Sequence, residues 1–289
     1  KPKHNGSLWP PGFLYLHAGG IQAELVEAGH LPELEPLLVP TTVLGACYYE
    51  HEGQVNPFAL MWAYVQQAKK HRLTVHLGTK VTRFATRNNR IQGVITNKGK
   101  FNAATVVLCT GAWTPIIGRM LGQDWDIPHV HGQALVTEAA PYLRLQNHIA
   151  SAAFFEAAHN EEESSDDENA VLAISQTAEG HFLLGEATMN TDDLGSASTP
   201  AGQTVIANLA ARHFPSLRSL STLRGWAAPV AFTHDGLPFL GPVDGIDGLI
   251  LATAFKSTVI VTPLVGKIVT DLVVNGYTNI DIAPFSPDR

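Results

Sequence analysis

Few side chains in this sequence are spaced for chemistry of their own. His129 and His131 flank Val130, and His234 stands in a Thr233-His234-Asp235-Gly236 run. Imidazoles titrate near neutrality, so His131 and His234 are candidate proton carriers, although no Ser/His/Asp nucleophile motif accompanies them. Metal-ligand spacings such as HExxH or CxxC do not occur. The two cysteines, Cys47 and Cys109, lie in GACYY and VVLCTGAW, apolar surroundings that predict small buried residues rather than a disulfide framework. What remains is chemistry of the backbone. The apolar run Thr105-Val106-Val107-Leu108-Cys109 ends in Thr110-Gly111-Ala112-Trp113, where small residues let the main chain approach a ligand closely. Further on, Lys256-Ser257-Thr258 precede an apolar helical run, and a helix start there supplies free N–H groups and partial positive charge.

Composition narrows the classes. With 289 residues, 45% hydrophobic and 16% charged, the chain can bury a large core in two lobes. A formal net charge of -7 argues against a nucleic-acid surface, which needs clustered Lys and Arg. No apolar run approaches the roughly 20 residues that span a bilayer. Without a signal or transit segment, and with two cysteines, a reducing, cytoplasmic setting is expected. The chain opens at Lys1, without Met, in a Pro/Gly-rich stretch, as a fragment or processed product would.

The elements that must position these residues follow from local pattern. Phe13–Leu16 reads as a short strand and the segment from Ile21 to Gly29 as helix-like. Asn56-Pro57 starts a helix, because Asn caps and Pro suits the first turn. Phe58, Met61, Trp62, Val65 and Ala68 then predict a buried helical face. Strands are expected at Thr74–Leu77, Lys80–Thr86 and Arg90–Thr96, with a turn at Asn97–Lys100. The Thr105–Cys109 run suits a central parallel strand covered on both faces. Pro115–Leu121 reads as helix, Val130–Glu138 as a long strand, and the acidic run Asn160–Asn169 as a solvated insertion. Its carboxylates include no turn-forming Gly, which disfavours a Ca²⁺ loop. A hairpin at Val171–Ser175 and His181–Gly185 follows, then a helix at Ala201–His213. Strands at Leu223–Phe232 and Leu249–Ala254 precede a helix at Val259–Val274 closed by Asn275-Gly276.

Three stretches together carry a resemblance. They are Gly53-Gln54-Val55-Asn56-Pro57-Phe58 with Val75 and Lys80-Val81-Thr82; Ala104 to Trp113 followed by Val130-His131-Gly132-Gln133; and Arg224-Gly225-Trp226-Ala227 through Thr233 to Pro242, ending at Ala283-Pro284-Phe285. In order and spacing they resemble the FAD-dependent amine and amino-acid oxidoreductases: glycine oxidase, sarcosine oxidase, D-amino-acid dehydrogenases and the hydrogen cyanide synthase flavin subunit. The resemblance implies an α/β fold in which a Rossmann-like FAD lobe interleaves with a mixed-sheet substrate lobe. The boundaries it implies are 51–128 and 234–289 for the first, and 1–50 and 129–233 for the second. It implies FAD as cofactor, with Val81, Thr110, Gly111, Trp113, Lys256, Ser257 and Thr258 as binding residues. Its activity would be oxidation of a C–N bond in an amine or amino acid by hydride transfer.

The sequence departs from that family in three places. No strand–GxGxxG–helix unit is present, so the ADP-binding part of FAD would need an upstream segment or a partner chain, and the flavin lobe is incomplete at its N-terminus. The glycine-rich loop before the last helix reads Thr253-Ala254-Phe255-Lys256-Ser257-Thr258; Lys256 there could place its charge by the flavin C2 carbonyl. Val230 stands where glycine-oxidase-like enzymes carry a carboxylate-binding Arg, which points to a secondary amine, a bulkier N-substituted amino acid or a carboxylate held elsewhere. These departures also admit a non-catalytic subunit or scaffold with a decayed or partner-completed flavin fold.

Overall fold

The computed structural model describes residues 20–51, 53–152, 169–256 and 259–289. The strand expected at Phe13–Leu16 and most of the acidic run lie outside them. In chain order the strands are β1 (Glu24–Glu27), β2 (Gly45–Tyr48), β3 (Val81–Arg87), β4 (Arg90–Thr96), β5 (Gly99–Asn102), β6 (Val106–Leu108) and β7 (His129–Ala139). They continue with β8 (Ile149–Ala150), β9 (Asn169–Gln176), β10 (His181–Asn190), β11 (Thr222–Ala231), β12 (Phe239–Pro242) and β13 (Leu249–Thr253). The α-helices are α1 (Leu31–Leu34), α2 (Pro57–Lys69), α3 (Thr114–Arg119), α4 (Pro200–His213) and α5 (Thr262–Asn275).

The chain forms two compact units: 1–54, 131–191 and 195–228 in one, and 55–130, 192–194 and 229–289 in the other. The first unit carries a five-stranded sheet in the order β11-β7-β10-β9-β8. One face is covered by α4, whose Ile206 and Ala210 pack with Leu135, Leu172, Ile174, Phe182, Leu184 and Phe214. The helix begins where it does because Thr199 caps it, accepting from Gly202 N, while Gln133 Oε1 on β7 accepts from Thr199 N at 2.8 Å. Gly202 is required at this contact, since a Cβ there would sit 2.6 Å from Gln133 Oε1. Buried Glu35 accepts from the backbone N–H groups of Gln146 and Asn147 at 2.8 and 3.1 Å, which resolves the cost of burying its carboxyl.

The second unit holds two three-stranded sheets, β3-β4-β5 and β12-β13-β6. β3 and β4 are antiparallel and joined at Asn88-Asn89, both at positive φ (51° and 59°), as a two-residue hairpin turn demands. β13 runs parallel to β6, with Leu249 opposite Val106 and Leu251 opposite Leu108. All five residues of β13 are buried, Leu249 and Leu251 in one core cluster and Ile250 and Ala252 in another with Ile268 and Leu272 of α5. Burial on both faces explains why this strand reads as a continuous apolar run.

Several expectations are corrected. The segment from Ile21 to Gly29 is β1 and a 3₁₀ turn rather than a helix, because Glu24–Glu27 pairs with Gly45–Tyr48. Thr74–Leu77 is not a strand; Leu77 is 82% exposed and the segment has no pairing partner among the described residues. The helix after Asn56 forms as expected, with Asn56 Oδ1 accepting from Phe58 N and Ala59 N, both at 3.0 Å, but none of its residues is buried. Phe58, Met61 and Trp62 are exposed, because nothing among the described residues packs on that face. β6 is parallel as expected, yet among the described residues it is an edge strand of its sheet rather than a central one. Cys47 and Cys109 are free and exposed, not buried.

Candidate functional site

The carboxyl ends of β6 and β13 are where the candidate residues gather. After β6 the chain turns at Thr110, enters a 3₁₀ turn at Gly111–Trp113 and continues as α3. Gly111 takes φ +50, and a Cβ built there would meet nothing within 4 Å. Its backbone is therefore open to a ligand. Thr110 and Trp113 line an apolar groove of about 550 Å³ together with Lys80, Val81, Ile116, Ile117 and Met120. Three of the expected cofactor residues, Val81, Thr110 and Trp113, thus share one groove, and Gly111 lies in the turn between the last two.

Beneath the turn is a hydroxyl network. Thr114 is fully buried; its Oγ1 donates to Gly111 O at 2.7 Å and lies 2.8 Å from Thr110 Oγ1 and 2.9 Å from Thr253 Oγ1. Thr253 closes β13, so the network links the ends of the two parallel strands. Thr114 and Thr253 were missed in the sequence. The available signal was the Gly111-to-Thr114 spacing, which suits a hydroxyl bonding back three residues.

The other candidates lie outside this groove. Lys256 is exposed at φ +55, and Ala254, two residues before it, takes φ +59, so this loop keeps left-handed backbone without glycine. Ser257 and Thr258 lie outside the described residues. The last α-helix proper starts at Thr262, after a 3₁₀ turn at Val259–Val261, three residues beyond the position read from the sequence. His131, on β7 in the first unit, is buried at 2% exposure with Nε2 lacking a hydrogen-bond partner. His234 is exposed and pairs with Asp126 at 2.9 Å. Neither histidine lines the Thr110 groove. No cluster able to hold a metal ion occurs among the described residues, and none of their helices is long and apolar enough to cross a membrane.

A parallel strand pair, with β13 buried along its whole length and an open glycine turn and a groove at the carboxyl end of β6, is the arrangement of α/β proteins that bind nucleotide cofactors. A family model described as FAD dependent oxidoreductase matches residues 12–272, and the chain belongs to that family. It is 29% identical over 271 residues to the hydrogen cyanide synthase subunit HcnC of Pseudomonas aeruginosa, covering 93% of this chain and 60% of HcnC. It is 26% identical over 272 residues to glycine oxidase of Geobacillus kaustophilus, covering 93% of this chain and 67% of that enzyme. Among solved structures, L-proline dehydrogenase from P. horikoshii matches at TM-score 0.81 and 25% identity, over 95% of this chain and 70% of that one. The chain spans 55% to 60% of the length of the HcnC proteins that it matches.

The residues present fit part of an FAD. The open Gly111 backbone, the Thr110 hydroxyl, the Lys80 ammonium and the apolar wall of Val81, Trp113 and Ile116 suit a ligand with a flat apolar part and polar substituents.

Proposed function

We propose that this chain is the larger part of an FAD-dependent oxidoreductase that oxidises the C–N bond of a secondary amine or N-substituted amino acid. The observation that carries the reading is the groove at the end of β6, in which Val81, Thr110 and Trp113 meet beside the open Gly111 turn. Bound there, FAD would supply the acceptor for the hydride that leaves the substrate carbon. The chain's own residues bind and orient: Val81 and Trp113 give apolar contact, Thr110 a hydroxyl, and Gly111 an unobstructed main chain. Lys256, Ser257 and Thr258 form the second contact segment in this reading. The flavin lobe would comprise 51–128 and 234–289, and the substrate lobe 1–50 and 129–233. Free Cys47 and Cys109 accord with a cytoplasmic setting.

Val230, in place of an arginine, supports the substrate class. Without a guanidinium at that position a small primary amino acid loses its bidentate carboxylate partner. Relatives acting on glycine and on L-proline frame the choice, and the secondary amine is favoured. An ADP-binding unit, carried upstream or on a partner chain, completes the cofactor site. Among the described residues, the open edge of β6 and the uncovered face of α2 support that part of the reading.

The test is an absorbance spectrum of the purified protein after incubation with FAD, followed by anaerobic addition of glycine, sarcosine and L-proline. Retained flavin that is bleached faster by sarcosine or proline than by glycine is the expected result. Flavin retained by neither the chain alone nor the chain with its completing unit would end the reading. Retained flavin that no amine bleaches would leave a scaffold.

A further inference from the structure

Hydrogen-bond valence in the threonine network determines its direction. A hydroxyl has one proton and two acceptor lone pairs. Thr114, at 0% exposure, has nowhere to turn except its protein neighbours. Its proton is committed to Gly111 O at 2.7 Å, because a carbonyl can only accept. The contacts of 2.8 Å to Thr110 and 2.9 Å to Thr253 must then be bonds that Thr114 accepts. Both lone pairs are occupied, and the buried hydroxyl is fully satisfied. Thr110 spends its only proton inward. For any further partner its hydroxyl has only lone pairs to offer.

We infer that Thr114 is a positioning residue of the cofactor site, fixing the Thr110 hydroxyl as an acceptor and tying the ends of β6 and β13 into one body. This rests on the reading that the groove holds part of FAD. It adds the chemistry of the contact: the group that meets Thr110 is an O–H or N–H donor, such as a sugar hydroxyl or an exocyclic amine, and not a phosphate oxygen. A phosphate oxygen at that place would face a second acceptor and forfeit the bond. Anionic groups are left to Lys80, the cation that lines the groove among the described residues. The 3.5 Å approach of Thr253 Oγ1 to Gly111 O lies on the same side of the network, so movement of the β13 end is felt at the Gly111 turn.

The experiment compares the parent chain with Thr114→Val, Thr114→Ser, Thr253→Val and Thr110→Val. Amide hydrogen exchange is first measured without ligand over residues 111–114 and 253–256. Thr114→Val should speed exchange in both segments, Thr253→Val should do so at the Gly111 turn, and Thr114→Ser should restore the parent pattern. Faster exchange confined to the mutated segment would overturn the coupling, and this arm is decided whether or not FAD binds. FAD titration follows, on the chain with its completing unit if that is required. Thr114→Val and Thr110→Val should each weaken binding about tenfold, the size of one lost hydrogen bond. Thr114→Ser should stay near the parent. Because Thr114 acts through Thr110, Thr114→Val in a Thr110→Val background should weaken binding no further. Additive losses, or a Ser variant as weak as the Val variant, would overturn the positioning role. A parent protein that binds no FAD would sink the proposed function, while the exchange data would still decide the coupling.

Discussion

Arg289 and Asp235 show how much one exposed pair can do when its geometry is bidentate. Arg289 Nε lies 2.6 Å from Asp235 Oδ2 and Nη2 lies 2.9 Å from Oδ1, while the guanidinium stacks 4.3 Å from the Phe239 ring centroid. The same side chain donates to Leu237 O at 2.7 Å and Ser286 O at 2.9 Å, so it secures the loop that leads into β12. Arg289's hydrogen bonds hold the Asp235 carboxyl well below the usual carboxylate range, helped by Leu237 N–H and the Thr233 hydroxyl against some desolvation. A depressed folded pKa contributes stability that is complete above the unfolded value, near 3.9, and is lost as pH falls through the folded one. Arg289→Ala should therefore raise the Asp235 pKa, seen by carboxyl NMR titration, and cost about 1 kcal/mol at neutral pH. Half-exposure of Asp235 keeps that figure at the surface-pair scale. An unchanged titration would show that the pair does not form in solution. Gly202→Ala tests a different contact. The added methyl must displace Gln133 from Thr199 N, with an expected loss of about 1–3 kcal/mol in denaturant unfolding. Neither site could be found from spacing, since Asp235 and Arg289, like Gln133 and Gly202, meet only through the fold.

At the scale of elements, what the sequence disclosed was whatever local chemistry decides. Asn56-Pro57 marked the start of α2, and its cap is present in both bonds. Asn275-Gly276 marked the end of α5, where Gly276 takes φ +81. Asn56→Ala should cost about 1 kcal/mol and lower helix content at 222 nm by fraying the first turn of α2; a negligible change would mean that tertiary contacts, not the cap, hold that end. The parallel character of β6 was legible, but the partner of each non-local strand was not. Ile21, Leu25 and Val26 are spaced like a helical stripe, but β2 draws Glu24–Glu27 into a ladder. Val75 and Leu77 alternate like a strand, yet no strand lies beside them among the described residues. Local propensity loses wherever a partner decides, and the partner is not in the local window. The site followed the same division. The strand-ending Thr110-Gly111-Ala112-Trp113 signalled an open backbone turn, whereas the long-range bond between Thr114 and Thr253, across 139 residues, left no local trace.

Burial is settled by the whole molecule, and the apolar stripe of α2 is where sequence and structure part most sharply. Phe58, Met61 and Trp62 repeat at helical spacing, which in a closed core predicts an inward face. Here they are 75%, 57% and 62% exposed. An apolar helix face of this size is unusual on a surface left to solvent, and among the described residues β6, in the same unit, also has an unpaired edge. If α2 is uncovered in solution, replacing the three residues removes no packing. The combined Phe58→Ser, Met61→Ser and Trp62→Ser variant should then unfold within about 0.5 kcal/mol per site of the parent, the range of exposed substitutions. It should also bind less hydrophobic dye and sediment with less concentration-dependent association. A loss of several kcal/mol would mean that the face is already packed, whether by this chain or by a second copy. Association that falls together with stability as the protein is diluted would identify the second copy as the cover, because a dimer's stability depends on concentration and a monomer's does not.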